Sequence, residues 1–102
     1  MTSSDNTDEL IARLNAETAK IRWNDLQTHY AAGNVLAVSA DSDLIKTAIA
    51  MHRDETEQVS RWLNEGQLFE VSDTQALNWC RDDALFWAVV IPPFVLIQEV
   101  KK

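Results

Sequence analysis

The sequence predicts an α+β fold: four or five short helices packed against a small, mainly antiparallel sheet of about three strands. Three observations carry that prediction. Apolar residues recur at helical spacing in several short stretches, each opened by a capping residue. Two runs near the C-terminus, Ala84–Ile91 and Phe94–Val100, are rich in β-branched and aromatic residues. Between the helical stretches lies Val35–Ser39, too short and too evenly apolar for an amphipathic helix, which reads as a strand covered on both faces.

The elements follow in order. Residues 1–6 are polar and are expected to be disordered, leaving 7–102 as one globular domain. Asn6 or Thr7 can cap a first helix, in which Leu10, Ile11, Leu14, Thr18 and Ile21 repeat at helical spacing. Asn24-x-x-Gln27 begins a second capping pattern, with Leu26, Tyr30 and Ala31 as its apolar stripe and Gly33-Asn34 as its stop. After the strand Val35–Ser39, Asp41-Ser-Asp43 caps a helix bearing Leu44, Ile45, Ala48, Ile49 and His52. Asp54-x-x-Glu57 opens the next, with Val59, Trp62 and Leu63 inward and Gly66 as its end. Leu68–Val71 can be extended. Ser72-x-x-Gln75 matches a capping box and starts a helix with Ala76, Leu77, Trp79 and Cys80. Pro92-Pro93 joins the two last strands; a tight turn there requires a cis bond before Pro93, and otherwise the connection is looser. The expected core is Leu14, Ile21, Leu26, Leu36, Val38, Ile45, Ile49, Val59, Trp62, Leu63, Leu77, Val89, Val90, Leu96 and Ile97.

Composition excludes several functions. Among 102 residues there are two Gly, two Pro, one Cys and four Trp. One Cys makes neither an internal disulfide nor a thiolate zinc site. Two Gly, both assigned to helix ends, leave none for a phosphate loop or a dinucleotide fingerprint. The formal charge is −7, spread over both halves, with no basic stripe for nucleic acid or for anionic lipid. The opening Met-Thr-Ser-Ser-Asp-Asn-Thr-Asp-Glu lacks the basic-then-apolar order of a secretion signal. The apolar run Ala84–Ile97 is interrupted by prolines and falls short of the roughly 20 residues that a spanning helix needs. The expectation is a soluble, cytoplasmic protein with no cofactor.

Three stretches carry a resemblance: Trp23-x-x-Leu26-x-x-His29 leading into Val35-Leu-Ala-Val; Asp43-Leu44 followed by Val59-x-x-Trp62-Leu63-x-x-Gly66-x-Leu68; and Val71-Ser72-x-x-Gln75-x-x-x-Trp79 leading to Ala88-Val-Val-x-Pro92-x-x-Val95-Leu-Ile-Gln98. Together they resemble a small bacterial family known only as a domain of unknown function, made of stand-alone proteins of about this length. The resemblance spans most of the chain. It rests on helix-packing tryptophans and an apolar hairpin, and it brings no catalytic residues with it. The doubled Pro92-Pro93 departs from the family's single proline.

Candidate chemistry is sparse. A strand ending in Asp41-Ser-Asp43 is how some phosphoryl-transfer enzymes hold magnesium, since carboxylates suit a hard cation. Those enzymes need a larger domain and further acidic ligands, so the simpler reading is a helix cap. His29 could meet Asp41 in space, which makes His29, Asp41 and Asp43 the candidate site for a small ligand or a metal-dependent reaction. Neither His29 nor His52 has metal-ligand partners at clean helical spacing. Cys80, beside Arg81, lacks a general base and reads as a small buried hydrophobe. The tryptophans read mostly as core. Val59–Trp79 mimics a helix-turn-helix, but five residues separate Gly66 from Ser72 where that motif has about three or four. The leading expectation is therefore a non-enzymatic protein-interaction module. Its partner would be another protein or a second copy, paired along the edge of the C-terminal hairpin. The alternative is the ligand or enzyme site at His29, Asp41 and Asp43.

Overall fold

The computed structural model describes the backbone of residues 2–100 and the side chains of residues 8–100. Among them are five helices and five strands: α1 (Thr2–Glu17), β1 (Ala19–Arg22), α2 (Trp23–Ala31), β2 (Val35–Val38), α3 (Leu44–His52), α4 (Thr56–Glu65), β3 (Leu68–Glu70), α5 (Asp73–Asp82), β4 (Leu85–Ile91) and β5 (Phe94–Glu99). The strands form one sheet in the order β1-β4-β5-β2-β3. Every neighbouring pair is antiparallel except β2 with β5. The α+β class and the mainly antiparallel sheet are as the sequence predicts, with two strands more than the expected three. Helix α1 starts at Thr2, so Asn6 and Thr7, expected as its cap, lie within it; Met1 and the side chains of residues 2–7, on which the disorder expected over 1–6 bears, lie outside the described residues.

The added strands have local causes. Thr18 ends α1 by turning its hydroxyl back onto the Leu14 carbonyl at 2.6 Å. The chain then leaves the helix, so Ile21, which continues the helical spacing, sits in β1 opposite Phe86 of β4. β3, where the sequence allows extension, pairs with β2 from Leu36↔Glu70 to Val38↔Leu68. β5 is the central strand, flanked by β4 and β2. Its backbone is therefore engaged on both sides, and the expectation that it offers a free edge for self-pairing is corrected.

Alternation along the strands builds two cores, one on each face of the sheet. One face carries Val35, Ala37, Phe86, Val95 and Ile97 beneath Trp23 and Leu26 of α2 and Ala76 of α5. Trp23 is fully buried and meets Trp79, Tyr30 and Phe86 at ring-centroid distances of 5.3, 5.4 and 6.0 Å. The other face carries Val38, Leu68, Val89, Ile91 and Leu96 beneath Leu14 of α1 and Leu44 and Ala48 of α3, with Val59 and Trp62 of α4 packed against them. Three residues expected in the core are exposed: Leu77 at 73%, Val90 at 56% and Leu63 at 44%. Leu77 and Leu63 lie beside the inward positions Ala76 and Trp62 rather than on them. Val90 shares the sheet face that α2 and α5 cover, but is itself left uncovered.

Helix ends show which capping patterns act. Asp43 caps α3, accepting from the Lys46 amide at 3.1 Å. Ser72 and Gln75 form the expected capping box of α5. Gly66 closes α4 in the left-handed conformation, φ +79°, where a residue without Cβ has no steric cost. Two further expected caps fail. Asn24 lies inside α2, whose N-cap is Arg22, two residues earlier; the first helical amide, that of Trp23, finds a tertiary acceptor, the Ala84 carbonyl, at 2.8 Å. Asp54 does not cap α4; it turns the corner from α3 at φ +57°, and Glu55 holds the N-cap position without a side-chain bond. The Pro92–Pro93 peptide bond is cis, the first of the two alternatives the sequence leaves for that turn.

Candidate functional site

The parallel pair β2 and β5 places the loop Ser39–Asp43 at the carboxyl end of both strands, the position where open α/β sheets hold ligands. Gln98, on β5, ties this loop down: its side-chain amide donates to the Ser39 carbonyl at 2.8 Å and to the Ser42 carbonyl at 2.6 Å. Beside the loop lies a recess of about 430 Å³ lined by Ser39, Asp41, Ser42, Asp43, Lys46, Thr47, Trp62 and Gln67. Asp41 and Asp43 are thus brought to one cavity. His29 is not among its lining residues; it is exposed in the last turn of α2, a helix of the opposite layer. Among the described residues no three His, Cys, Asp or Glu side chains come together as a metal-binding group.

The groups around this recess are largely occupied with the fold. Asp43 caps α3, and the Thr47 hydroxyl donates to the Asp43 carbonyl at 2.9 Å. Gln67 donates to Glu65 at 3.2 Å and accepts from the Ser42 hydroxyl at 3.5 Å. Asp41 is exposed, and its amide donates to the Ser39 hydroxyl at 3.4 Å.

At the opposite end of the sheet the chemistry differs. A groove of about 290 Å³ runs between the α3–α4 corner and the Pro92–Pro93 turn, lined by Met51, Asp54, Glu55, Thr56, Val59, Ser60, Ile91, Pro92, Pro93 and Phe94. Its walls are apolar and its rim carries two exposed carboxylates. Among the described residues neither Asp54 nor Glu55 makes a side-chain hydrogen bond or ion pair; both bond through their backbone alone. Sequence reasoning missed this groove. Its one local signal was the pairing of two prolines, which marks a turn but does not say what faces it.

Other singled-out residues take structural places. Cys80 is exposed, contrary to the buried reading; it lies on α5 beside α2, and the Gln27 amide donates to its Sγ at 3.2 Å. Trp87 is 37% exposed with the Lys20 ammonium 5.0 Å from its ring centroid, so of the four tryptophans it is the one most open to solvent. Tyr30 donates to Asp73 at 2.6 Å, linking α2 to α5. That bond to a carboxylate raises the phenol above its ordinary value, with burial and the Asp73 charge acting in the same direction. The helix-turn-helix likeness is removed by β3, which stands between α4 and α5.

Residues 9–99 match the family described as "Protein of unknown function (DUF2288)". The chain belongs to the DUF2288 family. This DUF2288 protein is similar to PA1075 from Pseudomonas aeruginosa, known from an NMR solution structure: 40% identity, a TM-score of 0.79, and coverage of 92% of this chain and 87% of that one. No curated protein matches it. The resemblance read from its tryptophans and hairpin is therefore correct as to a family of unknown function. No helix among the described residues is long and apolar enough to cross a membrane.

Proposed function

We propose that this DUF2288 protein is a non-enzymatic interaction module that holds a segment of another protein in the groove at the Pro92–Pro93 turn. One observation carries the reading: this recess joins an apolar floor, including Met51, Val59, Ile91 and Phe94, to two carboxylates that make no side-chain hydrogen bond or ion pair among the described residues. At about 290 Å³ it lies at the small end of the range for small-molecule sites, roughly 300–1,000 Å³. It suits one or two side chains of a bound chain. The polar recess at Asp41 and Asp43 supports an enzyme less well, since Asp43 already serves as a cap. The net charge of −7 argues against nucleic acid as the partner. A cytoplasmic setting accords with a lone cysteine whose thiol is exposed, and a bacterial source with the Pseudomonas relative.

The test is a selection from a random peptide library against the wild-type chain, with counter-selection on a Ser60→Trp variant. Ser60 is exposed and lines the groove, so the indole fills it without disturbing the core. Peptides enriched on the wild type and lost on the variant are expected. Enrichment that is the same on both proteins, or absent from both, overturns the reading.

A further inference from the structure

We infer that the groove's partner is a basic segment that inserts one apolar side chain between positively charged neighbours. This rests on the groove being a docking site, and it adds the sign and layout of what docks. The floor supplies the side chains of Met51, Val59, Ile91 and Phe94, which offer an apolar side chain contacts but no strong hydrogen bond. The mouth supplies Asp54 and Glu55, adjacent in sequence, both exposed and both without a side-chain partner among the described residues. Asp54 is held at φ +57°, a conformation uncommon for residues other than Gly, at the corner that sets the rim. A neutral or acidic segment would leave two carboxylates facing an apolar contact with nothing to offset their lost hydration. A segment with Lys or Arg on either side of its anchor gives each carboxylate a counter-charge as the anchor is buried. The overall charge of −7 adds long-range attraction for such a segment. A second copy of this chain is disfavoured by the same charge.

The probe is a capped peptide with one leucine between two arginines on each side. Its controls are a twin with glutamates for arginines and a twin with serine for leucine. Binding is followed by amide NMR shifts at low and at physiological salt. The basic leucine peptide is expected to shift the amides of Met51, Asp54–Ser60, Ile91 and Phe94. Glu55→Lys, an exposed change, is expected to weaken it about tenfold, and Asp54→Asn by less; added salt should weaken wild-type binding most. Equal binding of the glutamate twin overturns the charge assignment, and equal binding of the serine twin overturns the apolar anchor. No shift with the basic peptide overturns the inference outright. Concentration-dependent shifts at the same amides without peptide would make a second copy the occupant and overturn it too. These failures are separate from failure of the docking reading: library peptides that need the open groove but carry no basic residues sink this inference alone, whereas a library without groove-dependent binders sinks both.

Discussion

The two ends of the sheet use their acidic residues differently. At the carboxyl end of β2 and β5, Asp43 caps α3 and the loop around it is pinned by Gln98. At the other end, Asp54 and Glu55 stand over an apolar groove with no side-chain partner among the described residues. The first end has the position associated with ligand sites in α/β sheets; the second has the groups left over. Position in a fold alone therefore does not mark a site; whether the local side chains are already satisfied bears on it as well.

The comparison breaks first at Gln98. If the polar loop is held for structural reasons, Gln98→Ala removes two hydrogen bonds and strands two carbonyls that the amide served, at a cost of about 2 kcal/mol. Urea unfolding measures the loss, and amide exchange in the Ser39–Asp43 loop should quicken. A loss under about 0.5 kcal/mol would mean that the loop does not depend on β5. A paired substitution gives the next effect. Asp43→Ala should cost about 1 kcal/mol by removing the α3 cap, while Glu55→Ala, at an exposed site without a side-chain bond, should stay within about 0.5 kcal/mol of wild type. Equal losses would erase the distinction between the two ends.

Much of this was legible in the sequence wherever the cause is local. The Asp43 cap and the Ser72–Gln75 box need only residues three apart, and both form as read. The failures come where a distant partner decides. Ile21 fits the first helix by spacing, yet Thr18 ends that helix and pairing with Phe86 makes Ile21 part of a strand. Asn24 has the chemistry of a cap, but the N-cap is Arg22, two residues sooner, and the Ala84 carbonyl serves the first helical amide. Of the candidate site, the juxtaposition of Asp41 and Asp43 followed from adjacency, whereas His29 fell in the opposite helical layer. The groove was invisible because it joins the α3–α4 corner to a turn far along the chain, and only the sheet order β5-β2-β3 brings them together.

The smallest effect concerns an acid used internally away from both ends. Asp73 accepts from Tyr30 at 2.6 Å, and this bond is the largest cause of the raised phenol value. Tyr30 is the chain's one tyrosine, so phenolate absorbance reports it directly. The folded protein should titrate above the ordinary value of 10.0, and Asp73→Asn should lower the midpoint, because the carboxylate favours the protonated phenol both by accepting its proton and by its charge. The sign for stability follows from the folded value lying above the unfolded one. The contribution is fully present below the unfolded value and is lost as pH rises through the folded one. Unfolding midpoints should therefore fall over that alkaline range more steeply in the wild type than in Asp73→Asn. A phenol midpoint that does not respond to Asp73→Asn would show that the link between α2 and α5 is not kept in solution. Asp73 would then join Asp54 and Glu55 as a carboxylate without a side-chain partner among the described residues.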